Sequence, residues 1–160
     1  MIDWLLHAAQ WLSDSSLNNW VNSSRYIWPT METIHFLALC VLMGSLLVVD
    51  LRLLGLYPRL SPATAERCVQ WALAAFAVNL ITGIGFLAGN TWKYWDNPSF
   101  QIKLALIAVA GFNAMIYQLK AEELINGDQT THVMRVIGGV SLLCWCGVIV
   151  CGRMITFTAY

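Results

Sequence analysis

Charge is what this sequence has least of. Asp, Glu, Lys and Arg make up 11% of its 160 residues, where a soluble domain carries about a quarter. The nine acidic and nine basic residues cancel, and no basic block occurs, so nucleic acid is excluded as a partner. Cys-x-x-Cys is also missing: the five cysteines are Cys40, Cys68, Cys144, Cys146 and Cys151. Their spacing excludes covalent haem attachment and a redox dithiol. Cys144 and Cys146 point to different helix faces, and all five are expected to be small apolar packing residues. No Gly-rich phosphate loop, His-Glu-x-x-His or exposed triad is present, which removes support for hydrolase and nucleotide-driven chemistry. No set of residues assigns an enzymatic step. With no long linker and no internal repeat, one domain is expected.

Apolar sequence fills the place of charge. Hydrophobic residues reach 58% and mean hydropathy is +0.61. The charges sit between apolar runs of about 20 residues, the length that crosses a hydrocarbon core. Four spans are predicted, at about 28–54, 68–88, 100–119 and 133–157. Pro29 stands where a helix start tolerates it, and Asn97-Pro98 breaks the chain before the third span. The fold class is therefore all-α, an integral membrane four-helix bundle over residues 25–160.

Residues 1–24 read as an interfacial amphipathic helix and a linker. Asp3, His7, Gln10 and Asp14 recur at helical spacing, with Trp4, Leu5, Ala8, Trp11 and Leu12 opposite. A basic n-region and a clean cleavage site are missing, so a retained helix is expected rather than a signal peptide.

Four spans put both termini on one side. The opposite side holds Arg52, Arg59, Arg67, Lys120 and Arg135, against Arg25, Lys93, Lys103 and Arg153 on the terminal side. This slight excess places the termini outside. Trp4, Trp11, Trp20, Tyr26, Trp28, Trp92, Tyr94, Trp95 and Tyr160 would form an aromatic belt there.

Charges at bilayer depth need a partner or a purpose. Glu32 and Asp50 lie 18 residues apart on the first span, and Arg135 and Arg153 lie 18 apart on the fourth. Five full turns put each couple on one stripe. The two helices run antiparallel, which predicts Glu32 with Arg153, and Asp50 with Arg135 or Arg52. Gly139 and Cys146 on the arginine stripe would permit close approach. Such pairs clamp the bundle. Used functionally, they would gate a proton or electron route, but Leu39, Met43 and Leu46 break any carboxylate wire between Glu32 and Asp50.

His35 sits one turn below Glu32. An intramembrane histidine can ligate haem iron, relay protons or satisfy a carbonyl. His132 starts the fourth span at the other side, and His7 belongs to the polar face of the first helix. Met31 and Met154 are on the correct side. Lys103 enters the third span near Glu32, His35 and Arg153, either snorkelling or joining that cluster. Asn79, Asn113 and Ser141 are expected to bond between helices.

Trp28-Pro29-Thr30-Met31-Glu32-Thr33-Ile34-His35, then Gly44 and Asp50-Leu51-Arg52-Leu53-Leu54-Gly55, resemble the opening of an uncharacterised family of small bacterial inner-membrane proteins. Asn97-Pro98-Ser99-Phe100-Gln101-Ile102-Lys103, Gly111-Phe112-Asn113-Ala114 and Cys151-Gly152-Arg153 extend the resemblance over most of the chain. It implies four helices in a bacterial inner membrane and singles out Glu32, His35, Asp50, Arg52, Lys103, Asn113 and Arg153; with the charge bias above, the termini are expected to be periplasmic. Where the family has a histidine near the end of the third span, this chain reads Tyr117-Gln118, so a bis-histidine haem is not implied. A more distant similarity is to four-helix haem b and copper-handling membrane proteins.

Together these expectations describe a haem b-binding membrane protein. His35 is the axial ligand, Glu32, Lys103 and Arg153 surround the cofactor, and electrons pass near the outer face. The alternative is a non-catalytic scaffold or accessory subunit whose charges only lock the bundle. Its partners are the lipid bilayer and further copies of itself or other subunits of a membrane complex.

Overall fold

A computed structural model describes residues 3–57, 59–126 and 132–158. Seven helices follow in order: α1 (Asp3–Ser13), α2 (Ser16–Asn22), α3 (Ile27–Leu53), α4 (Pro62–Gly89), α5 (Thr91–Trp95), α6 (Pro98–Asn126) and α7 (His132–Thr158). Four of them are long and apolar enough to cross a membrane: α3, α4, the Pro98–Leu119 part of α6, and α7. The expected spans hold, with α4 starting six residues earlier than its apolar run.

The helix ends have local causes. Ser61 caps α4, its side chain accepting from Thr64 N, with Pro62 in the first turn. Gly55 ends α3 at φ 80°. Its N–H donates to Arg52 O at 2.9 Å and that of Leu56 to Leu51 O at 3.0 Å. This Schellman closure needs the left-handed conformation that glycine adopts without strain. Asn97 does more than break the chain. Its Oδ1 accepts from Ser99 N and Phe100 N, capping α6, and from Thr158 Oγ1 at 3.0 Å. Its Nδ2 donates to Ile155 O at 3.1 Å, tying the start of α6 to the end of α7.

Packing gives the row α4–α3–α7–α6, with α3 against α4 and α7, and α7 against α6. Among the described residues, α4 and α6 form no packed interface with each other. Lipid tails are as apolar as leucine, so close approach through small residues replaces the hydrophobic effect as the packing drive. Leu42 of α3 meets Ala72 and Ala75 of α4, while Val49 and Leu53 meet Ile137 of α7. Helices α3 and α7 approach closely at Gly138, where a Cβ would stand 3.0 Å from Asp50 O and 3.0 Å from Leu53 Cβ.

The 18-residue stripes fare differently from expectation. Among the described residues, no carboxylate lies within 4.0 Å of a basic nitrogen. Glu32, Arg135 and Arg153 are exposed and Asp50 is buried. The reason is rotation: α7 buries Ile137, Gly138, Ser141, Cys144, Val148 and Ile155, the face beside the arginine stripe. Gly139 meets nothing within 4 Å, and Cys146 is exposed.

The expected linker contains α2, capped by the Ser15 side chain on Asn18 N. Helices α1, α2 and α5 gather over one end of the bundle, called here the capped end. Asn18 Nδ2 donates to Ala88 O at 2.6 Å and Asn22 Nδ2 to Gly89 O at 3.0 Å, satisfying carbonyls at the end of α4. Gly89 matters for this docking, since a Cβ there would lie 2.7 Å from Val21 Cγ1 and 2.8 Å from Trp28 Cζ3. Ala9 of α1 is fully covered, whereas Trp11, Trp20 and Trp92 are exposed, in keeping with an interfacial aromatic belt. The side chains of Asp3, Trp4, Leu5 and Lys120, and Tyr160 as a whole, lie outside the described residues.

Candidate functional site

Two polar sites lie inside the spans, one near each end of α3. At the capped end, His35 projects from α3 toward α4. Its Nδ1 is 2.6 Å from Thr82 Oγ1, and its ring meets Phe86 edge-on, with centroids 5.4 Å apart. Thr82 has one hydroxyl hydrogen, and Val78 O of its own helix lies 2.8 Å away. When that hydrogen goes to Val78 O, the hydroxyl accepts from His35, so that Nδ1 carries the proton and Nε2 keeps its lone pair. A half-buried imidazole held in this way is oriented as a ligand, base or acceptor through Nε2.

Lys103 enters from α6. Its Nζ would lie 3.5 Å from a Cβ on Gly152 of α7, and its charge acts on the His35 imidazole. It is half-buried, drawn into the bundle toward α7. His35 and Lys103 thus lie within electrostatic reach of each other. Glu32 and Arg153 lie at the same end and make other contacts. Glu32 bears on Tyr94 of α5, and the Arg153 guanidinium lies over the Phe157 ring at 5.3 Å. Met31 shares the α4-facing side of α3 with His35 and packs on Gly85. Placed beside the imidazole on one helix, it does not face it as an opposing ligand. Among the described residues, no three His, Cys, Asp or Glu side chains gather into a metal-binding group.

Sequence reasoning missed Thr82 and Phe86. The available signal was a lone hydroxyl in the Ala/Gly-rich second span, but its helical phase against His35 depends on how α3 and α4 dock.

At the other end, Asp50 is 2% exposed. Its Oδ2 is buried without a hydrogen-bond partner, and the Ser141 hydroxyl lies beside the carboxyl. Asn113 Nδ2 donates to Ile137 O at 3.0 Å, the expected interhelical bond. Asn79 instead turns back to Ala75 O of its own helix at 3.0 Å, leaving its Oδ1 unpartnered.

The sequence matches the profile of a family of unknown function, DUF6644, over residues 10–158. The chain belongs to that family. Membership in DUF6644 covers all four spans and α2 and agrees with the four-helix architecture, while assigning no activity. Comparison with curated proteins and with solved structures returns no match.

Proposed function

We propose that this DUF6644 protein is a membrane haem b protein, with His35 as axial ligand and the capped end at the periplasmic face of a bacterial inner membrane. The supporting observation is the imidazole itself, whose Nδ1 lies 2.6 Å from Thr82 Oγ1. With that hydroxyl accepting from Nδ1–H, Nε2 is left as the ligating atom and the ring is fixed, the arrangement that protein haem ligands use. A bound haem would supply one-electron transfer between a membrane donor and an acceptor at that face. The rest falls to this chain's own residues. Thr82 orients the imidazole, Phe86 packs against it, and Lys103 offers an ammonium to an anionic propionate. Glu32 and Arg153, exposed at the same end, line the approach. From this chain, His35 is the residue that would hold the group's iron, and Met31 lies beside it on the same helix.

A second reading has one observation in its favour. The His35–Thr82 bond also ties α3 to α4, which is what an accessory subunit with a purely structural histidine requires.

Visible absorption of the detergent-purified protein, expressed with ample haem, separates the two. The haem reading expects a Soret band that shifts on dithionite reduction, is lost in His35→Ala and is altered in Thr82→Val. A featureless spectrum from a folded wild-type protein overturns it in favour of the structural role.

A further inference from the structure

The missing α4–α6 interface leaves a cleft, with α3 and α7 as its back wall. Its volume is about 310 Å³, at the low end of small-molecule sites. The walls are mostly apolar. Leu73 of α4 and Met115 of α6, on either side, are 56% and 51% exposed, so the mouth opens sideways, where the hydrocarbon lies. Phe76 and Trp145 stand edge-to-face in the wall with centroids 6.0 Å apart.

Asp50 lines this apolar space, 98% covered and with Oδ2 unpartnered. A buried oxygen without a partner costs the free energy of its lost hydration, and the cost is large at membrane depth. Among the described residues no donor reaches this oxygen, and the Ser141 hydroxyl beside the carboxyl leaves it unpartnered. Arg52 on the same helix acts on Tyr117 across the cleft, yet among the described residues no basic nitrogen lies within 4.0 Å of the Asp50 carboxyl. Gly138 also holds the α3 backbone at Asp50 hard against α7, so the residue cannot withdraw without separating the two central helices. What is missing is a hydrogen-bond donor carried on an apolar body that arrives through the lipid.

We propose that the cleft binds a lipophilic molecule with a hydroxylated aromatic head, in class a long-chain phenol or quinol, whose hydroxyl donates to Asp50. The alkyl chain leaves through the mouth between α4 and α6, and the ring sits among Phe76, Tyr117 and Trp145. Along α3, 15 residues or about 22 Å separate this site from His35, so it stands or falls independently of haem.

Matched probes test the proposal. Isothermal titration of the whole protein in phosphatidylcholine nanodiscs compares 4-nonylphenol with its methyl ether, which has no donor. The expected result is about tenfold tighter binding of the phenol, the scale of one hydrogen bond. In Asp50→Leu, which replaces the carboxyl by an apolar side chain of similar size, that preference disappears and ether binding persists. Gly111 lines the cleft with nothing within 4 Å of where a Cβ would sit. Gly111→Phe therefore starts a side chain in open space at the cleft, and weakens both probes by filling it. Equal binding of phenol and ether to the wild type means acyl-chain filling only, and overturns the proposal. So does a preference that survives Asp50→Leu, or failure of both probes to bind, as when a second copy covers the mouth. If Asp50→Leu does not fold, the wild-type comparison and Gly111→Phe still decide.

Discussion

Gly138 and Gly139 are neighbours in sequence with opposite surroundings, and alanine at each measures how closely the central helices pack. At Gly138 the added Cβ meets Asp50 O and Leu53 Cβ at 3.0 Å each and Leu54 Cγ at 3.5 Å. Two of these contacts fall well inside the optimal carbon separation of about 3.5–4.0 Å. One partner is a backbone carbonyl, which moves only if α3 moves. Overpacking of this kind costs about 1–3 kcal/mol. At Gly139 the Cβ meets nothing within 4 Å. Replacing glycine by alanine in a helix gains about 1 kcal/mol in either case, so subtracting one variant from the other cancels that gain. Gly138→Ala should therefore be less stable than Gly139→Ala by about 1–3 kcal/mol. The assay is equilibrium unfolding by sodium dodecyl sulfate titration in mixed micelles, followed by helical circular dichroism. Equal stabilities, or the larger loss at Gly139, would refute the packing of α3 on α7 described here.

Three further outcomes are expected. Asn113→Leu removes the bond to Ile137 O and should destabilise by about 0.6 kcal/mol, the average for interhelical bonds in a membrane. Asn79→Leu removes an unpartnered buried oxygen and should be neutral or stabilising in the same titration. Tyr94, on α5 outside the spans, is raised above its ordinary value of 10.0, first by burial and then by the Glu32 charge. Its folded state thus favours the neutral phenol, and that contribution to stability is lost as pH climbs past the ordinary tyrosine value. Difference absorbance against Tyr94→Phe should show late ionisation, and Glu32→Gln should bring it partly back.

The spans were legible because bilayer depth demands long apolar runs, and hydropathy reads them directly. Short helices carry no such signature. The Ser15 cap of α2 was present in the sequence, but in a seven-residue helix it was overshadowed by the polar run around it. The 18-residue spacings correctly placed Glu32 with Asp50 and Arg135 with Arg153 on common stripes. Periodicity alone does not say which stripe faces a neighbour. The buried face of α7 lies beside the arginines, and the close approach falls on Gly138, one position from the expected Gly139. His35 and Lys103 were found because ionisable residues are conspicuous at that depth. Thr82 and the Asp50 cleft were not, because both arise from which helices dock and which stay apart.

The most direct test of the account is the protonation state of His35. Nitrogen-15 NMR of the haem-free protein, labelled at histidine and assigned with His35→Gln, distinguishes the two tautomers. The account predicts a proton on Nδ1 and a bare Nε2, whose free-imidazole resonance is lost when haem is added. A proton on Nε2, or a ring unaffected by Thr82→Val, would contradict it.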